Sequence, residues 1–162
     1  MLPGQLCLCP DSDQKGSVAI ILAAEPPIDA LKVVTAVRVF LMAVILIVED
    51  DVFIREIAEM MIRDWGHQTL LASDVDEALS ILRSPQHIDA LFTDIYLKDF
   101  VLGGCDLAHQ AIKLRPGLRV LYTTGNSMTD KMKALLIEGA HFLRKPYAQY
   151  QLQNSVEKLL AV

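Results

Sequence analysis

Apolar and polar positions along most of this chain fall into two kinds of block. Short, mostly apolar runs stand at 43–48 (AVILIV), 68–72 (QTLLA), 88–93 (IDALFT), 119–123 (RVLYT) and 140–144 (AHFLR). Runs this short, without strict alternation, read as strands buried on both faces of a parallel sheet. The stretches between them carry a helical period. Over 52–65, Ile54, Ile57, Ala58, Met61 and Trp65 share one face, with Arg55, Glu56, Glu59 and Arg63 on the other, and Gly66 ends the segment. Ser73 or Asp74 caps a second helix that turns Ala78, Leu79 and Leu82 inward, and Pro85 stops it. Further helices are expected at about 106–114, 128–138 and 149–160, the first closed by Pro116-Gly117 and the second by Gly139. The alternation predicts an α/β fold: a doubly wound (βα)5 parallel sheet with helices on both faces.

Residues 1–41 break the pattern. Positions 1–17 hold two prolines and two glycines without periodicity, and Pro26-Pro27 interrupts the chain again. The expectation is a poorly ordered extension, or a start-site artefact, ahead of a domain over 42–162. The apolar stretch 33–48 contains Arg38 and falls short of the roughly 20 residues a spanning helix needs. No basic region and cleavage site mark a signal peptide. A soluble, cytoplasmic protein without membrane contact is expected. A net charge of −5 with scattered Lys and Arg argues against a nucleic-acid surface. Cys7, Cys9 and Cys105 make an odd set with no framework or metal spacing and read as free thiols.

The candidate chemistry sits where the apolar runs stop. The first runs into Glu49 and Asp50, the third into Asp94, the fourth into Thr124 and the fifth into Lys145-Pro146. Open parallel sheets bind ligands at the carboxyl ends of their strands, so these groups are candidates for one crevice. Three carboxylates gathered there repel by about 4 kcal/mol per pair at 4 Å and an effective dielectric of 20. One lysine does not offset that, so the site requires a proton or a divalent cation. Oxygen-only ligands select a hard ion, and a small site suits Mg²⁺. Phosphoryl transfer needs an in-line nucleophile and positive charge or donors on three equatorial oxygens. Asp94 is the nucleophile candidate; Mg²⁺, Lys145 and the Thr124 hydroxyl supply the rest.

The ordered set I-L-I-V-E-D-D at 45–51, F-T-D at 92–94, T-T-G at 123–125, G-A at 139–140 and K-P-Y at 145–147 resembles the CheY-like receiver domains of two-component response regulators. The spacings agree with that family: 94 − 50 = 44, 124 − 94 = 30 and 145 − 94 = 51. The resemblance covers about 42–162 and implies a flavodoxin-like sheet of strand order 2-1-3-4-5. It implies that Asp94 accepts a phosphoryl group from a sensor histidine kinase or a histidine phosphotransfer protein. It further implies Mg²⁺ on Asp50, Asp94 and the Tyr96 main-chain carbonyl, with Glu49 acting through water. Thr124 and Lys145 would grip the phosphoryl group, and Phe142 would hold the aromatic switch position. Asp51 is then a helix cap.

Two departures stand out. Lys98 occupies the place of the family's usual proline, and Gly104 comes about two residues late, so the loop after Asp94 is longer. Phe142 lacks a hydroxyl and must switch by packing alone. The expected role is a single-domain regulator with no output domain, which passes the signal to a downstream protein target by switching a protein-binding surface. It is not a turnover enzyme, beyond Mg²⁺-dependent self-phosphorylation and self-dephosphorylation. One alternative is a degenerate receiver serving as a constitutive docking module. Another, an Asp-nucleophile metal-dependent phosphatase, expects a second Asp where Tyr96 stands. His67, His87, His109 and His141 share no ligand spacing and read as surface or packing residues. The Met128, Met132, Leu135 stripe reads as core, on a helix that in this family often joins the partner surface.

Overall fold

Each apolar run becomes a strand, and every neighbouring pair is parallel. The computed structural model describes residues 42–97 and 102–161; the expected extension over 1–41 and the Lys98 departure lie outside them. The strands are β1 (Val44–Val48), β2 (Gln68–Ala72), β3 (Ala90–Asp94), β4 (Arg119–Thr124) and β5 (His141–Arg144), in the order β2-β1-β3-β4-β5. The helices are α1 (Val52–Asp64), α2 (Val75–Arg83), α3 (Gly103–Leu114), α4 (Asp130–Lys133) and α5 (Gln149–Leu160).

Two apolar layers sandwich the sheet. On one face Ala58 and Ile62 of α1 and Leu152, Val156 and Leu159 of α5 pack on Ile45, Ile47, Phe92, Leu121 and Leu143. On the other, Ala78, Leu79 and Leu82 of α2 and Leu107, Ala108 and Ala111 of α3 cover Leu46, Val48, Leu91, Val120 and Tyr122. Alternate residues of one strand therefore feed opposite layers. The register carries the strand ends to a common edge. Val48 pairs with Thr93, Asp94 with Thr123, and Thr124 with Arg144.

Local signals set the helix ends. Asp51 caps α1, its Oδ1 accepting from the N–H groups of Phe53 at 2.9 Å and Ile54 at 3.2 Å. Of the two candidates for α2 the cap is Asp74, which accepts from Glu77 N–H at 2.8 Å. Gly66 leaves α1 at φ 87°, where only glycine is unstrained.

Five expectations are corrected. Ile57 is exposed, because the inward stripe of α1 runs Ile54, Ala58, Met61, Ile62 and Trp65, leaving Phe53, Ile57 and Met60 outward. Arg55, placed on the solvent face, is half-buried. The third helix begins at Gly103 and not near Asp106, because Gly104 packs directly on the backbone at the end of β3. The helix expected over 128–138 is a single turn. After Ala134 N–H bonds to Asp130, the ladder tightens, with Leu135 and Leu136 donating to the carbonyls of Met132 and Lys133 three residues back. Met132 is core and Met128 half-buried, but Leu135 is exposed.

Candidate functional site

The carboxyl ends of β1, β3, β4 and β5 meet at one edge, and backbone hydrogen bonds carry the sheet one residue beyond its strands. Glu49 N–H donates to the Ala72 carbonyl at 3.2 Å, Ile95 N–H to Thr123 at 2.9 Å, and Lys145 N–H to Thr124 at 2.9 Å. The residues that follow the apolar runs are thus held in the frame of the sheet.

Glu49, Asp50 and Asp94 each offer a carboxylate oxygen, and these lie within 4.8 Å of one another. Glu49 and Asp94 are buried, at 2% and 9% exposure, so bulk water does not screen their repulsion. Lys145 Nζ bridges them, donating to Glu49 Oε2 at 2.5 Å and Asp94 Oδ2 at 2.6 Å. Burial pushes the Glu49 carboxyl up. The Lys145 hydrogen bond and charge offset part of that rise, while Asp94 and Asp50 add to it. Burial by itself disfavours the Lys145 ammonium, but hydrogen bonds and charge from Asp94 and Glu49 override it and raise the amine above its usual value. A buried cation shared by two carboxylates, with a third alongside, leaves net negative charge at the edge.

The donor set is oxygen alone, clustered, anionic and beside the expected nucleophile. It fits a hard divalent ion such as Mg²⁺.

The other expected residues are placed as follows. Tyr96 N–H donates to Asp94 Oδ1 at 3.0 Å, which puts its peptide beside the Asp94 carboxylate, and its hydroxyl turns toward Met132 Sδ at 3.5 Å. Thr124, fully buried, ends β4 one residue past Thr123, the partner of Asp94 in register. Its Oγ1 accepts from Asn126 N–H at 3.2 Å. Phe142 lies opposite Tyr122 in register and packs, half-buried, against the core with Met128 and Met132. The histidines form no cluster. His67 Nδ1 accepts from Ala43 N–H, His87 pairs with Asp89 and His109 meets the Leu135 carbonyl. Burial and the Asp106 charge push the Cys105 thiol up to about 11, as expected of an inert packing cysteine.

Three features escaped the sequence reading. Lys145 reaches Glu49 as well as Asp94. Arg55 Nη1 donates to the Glu49 carbonyl at 2.6 Å. The Gly104 backbone sits so close to Asp94 that a Cβ there would stand 1.9 Å from the Asp94 carbonyl oxygen. Only the last had a signal in the sequence: a glycine opening a helix shortly after the nucleophile candidate.

Residues 45–157 match the family model of the response regulator receiver domain. The chain belongs to that family. A response regulator receiver protein from Anaeromyxobacter sp. is 32% identical over 104 residues, 64% of this chain and 42% of its own length. The probable transcriptional regulatory protein TcrX of Mycobacterium tuberculosis is 29% identical over 117 residues, 72% of this chain and 49% of its own. The chain thus spans less than half of these curated relatives. The crystal structure of a CheY-like receiver domain protein from Methanospirillum hungatei superposes with TM-score 0.67 at 25% identity, covering 74% of this chain and 94% of that one. Receiver domains of this family are phosphorylation-based signalling modules that partner with histidine kinases or phosphotransfer proteins, and the strand order observed here is their flavodoxin-like 2-1-3-4-5. Among the described residues, no helix is long and apolar enough to cross a membrane.

Proposed function

We propose that Asp94 is the phosphoryl acceptor and that this receiver switches a protein-binding face when it is loaded. The observation that carries this reading is the buried Lys145 bridge between Glu49 and Asp94 at the common strand edge. The P–N bond of a donor phosphohistidine breaks, an Asp94 carboxylate oxygen forms the new O–P bond, and the imidazole leaves with the bonding pair. The attacking oxygen must be free of its proton, and Lys145 holds Asp94 Oδ2 in place.

Asp50, Asp94 and the Tyr96 carbonyl would hold Mg²⁺, with Glu49 acting through water. A bound divalent ion neutralises charge on the phosphoryl oxygens. Lys145 swings its Asp94 hydrogen bond to a phosphoryl oxygen, and the Thr124 hydroxyl donates to another while its Oγ1 still accepts from Asn126 N–H. Phe142 responds by packing, since it lies half-buried against the same apolar layer as Met128 and Met132. Loading thereby biases an existing equilibrium of the α4–β5 region.

The donor approaches across α1, where Val52, Phe53, Ile57 and Met60 are 44%, 72%, 48% and 57% exposed and begin directly after the acidic turn. A cytoplasmic setting, a downstream protein target and the absence of nucleic-acid contact complete the proposal. Its test is incubation with acetyl phosphate and Mg²⁺ followed by intact mass. One phosphoryl group should be added to the wild type and none to Asp94→Asn. A wild type that stays unlabelled sinks the proposal and leaves the constitutive docking module standing. Sustained release of phosphate from small phosphomonoesters would point instead to a phosphatase.

A further inference from the structure

Arg55 carries a contact that its helical position does not require. It stands in the first turns of α1, yet its side chain is half-buried and reaches back to Glu49, the first residue of the acidic pair. Its Nη1 donates to the Glu49 carbonyl at 2.6 Å, a short charge-assisted hydrogen bond. Glu49 is thereby held at three atoms. Its N–H donates to Ala72, its Oε2 accepts from Lys145, and its carbonyl accepts from Arg55.

The Glu49 carbonyl matters because of what shares its peptide plane. That plane contains the Asp50 nitrogen, so the orientation of the carbonyl sets where the Asp50 side chain departs. With three carboxylate oxygens within 4.8 Å, a rotation of this peptide would let Asp50 move away from the other two acids and relieve repulsion. On the other side of Asp50, the Asp51 carboxylate is pinned by the N–H groups of Phe53 and Ile54. Asp50 therefore sits between two fixed points, one of them supplied by Arg55.

We propose that Arg55 is a positioning residue for the carboxylate cluster: by fixing the Glu49–Asp50 peptide it keeps the acids gathered for a divalent cation. The inference rests on the metal-dependent acceptor reading for the identity of the cation. Its energetic logic is preorganisation, since a site already gathered loses less freedom when the ion arrives. The sign of the effect separates this role from simple electrostatics. A permanent cation beside the site repels Mg²⁺, so Coulomb interactions alone make removal of Arg55 tighten binding. Positioning makes removal weaken it.

The test is a Mg²⁺ titration of the full chain by calorimetry, with amide hydrogen exchange at residues 49–51 measured without metal. Arg55→Gln should weaken Mg²⁺ about tenfold and speed exchange at Asp50 and Asp51. Arg55→Lys, which keeps a long cationic donor, should recover most of both. Unchanged or tighter Mg²⁺ binding by Arg55→Gln overturns the proposal, as does unchanged exchange in a folded Arg55→Gln protein. If Arg55→Gln fails to fold, Arg55→Lys decides, because wild-type-like exchange supports the clamp and fast exchange with unchanged Mg²⁺ affinity overturns it. Wild-type protein that binds no Mg²⁺ defeats the metal reading, and the exchange arm still judges the clamp.

Discussion

Gly104 offers the sharpest test of how the acceptor is held. A Cβ at this position would lie 1.9 Å from the Asp94 carbonyl oxygen, 2.8 Å from the Asp94 carbonyl carbon and 3.0 Å from Ile95 Cα. All three are backbone atoms, so no side chain can rotate out of the way. A carbon–oxygen contact settles near 3.3 Å, so Gly104→Ala must move the start of α3 and the end of β3 apart by roughly 1.4 Å. The Gly104 N–H to Ile95 carbonyl bond at 3.1 Å stretches or breaks with that movement. Overpacking of this kind costs about 1–3 kcal/mol, and alanine returns up to about 1 kcal/mol of helix propensity, leaving a net loss of up to about 3 kcal/mol. In a domain of this size each kcal/mol lowers Tm by roughly 3–5 °C. Displacing the nucleophile by about 1 Å also slows acetyl phosphate labelling, by tenfold or more on the scale of such misplacements. Gly66→Ala is the control. Nothing lies within 4 Å of its Cβ, but φ is 87°, so it should cost stability through the backbone and leave labelling untouched. A Gly104→Ala protein that melts and labels like wild type would refute the close approach.

Two other predictions concern groups away from the acidic edge. His67 accepts a hydrogen bond from Ala43 N–H, and burial lowers its pKa from the ordinary 6.5 against the pull of Glu157 and Asp89. A depressed folded-state pKa means that its contribution is present above pH 6.5 and lost as pH falls through the folded value. Urea midpoints at about pH 7.5 and about pH 5.5 should therefore fall more for wild type than for His67→Gln, and parallel falls would refute the assignment. Tyr122 is fully buried, and its hydroxyl, lying against the Ile137 backbone, meets no hydrogen-bond geometry there or elsewhere among the described residues. Tyr122→Phe should be neutral or raise Tm, because a buried unpaired hydroxyl costs about 1–3 kcal/mol. A loss above about 1 kcal/mol would show that the hydroxyl is satisfied in solution.

What the sequence determined on its own is the order and type of the strands and the groups that follow them. Five short apolar runs imply a parallel sheet, whose order 2-1-3-4-5 came from the family resemblance and not from the pattern, and their ends carry Glu49, Asp50, Asp94, Thr124 and Lys145 whatever the helices do. Periodicity served the long helices well: the span of α5 came out as read, and α1 missed by one residue. It failed at α4, where the helical period of Met128, Met132 and Leu135 continues past the point at which the hydrogen bonds tighten. It also misplaced Ile57 and Arg55, because a helical wheel gives the angle of a side chain and not what stands beside it. Tertiary structure alone decided which cation touches which acid. Lys145 and Glu49 are separated by 96 residues, and only the parallel register brings them to 2.5 Å. The approach of Gly104 to Asp94 and the return of Arg55 to the Glu49 carbonyl are settled in the same way. They depend on distances across elements, which a pattern along the chain does not contain.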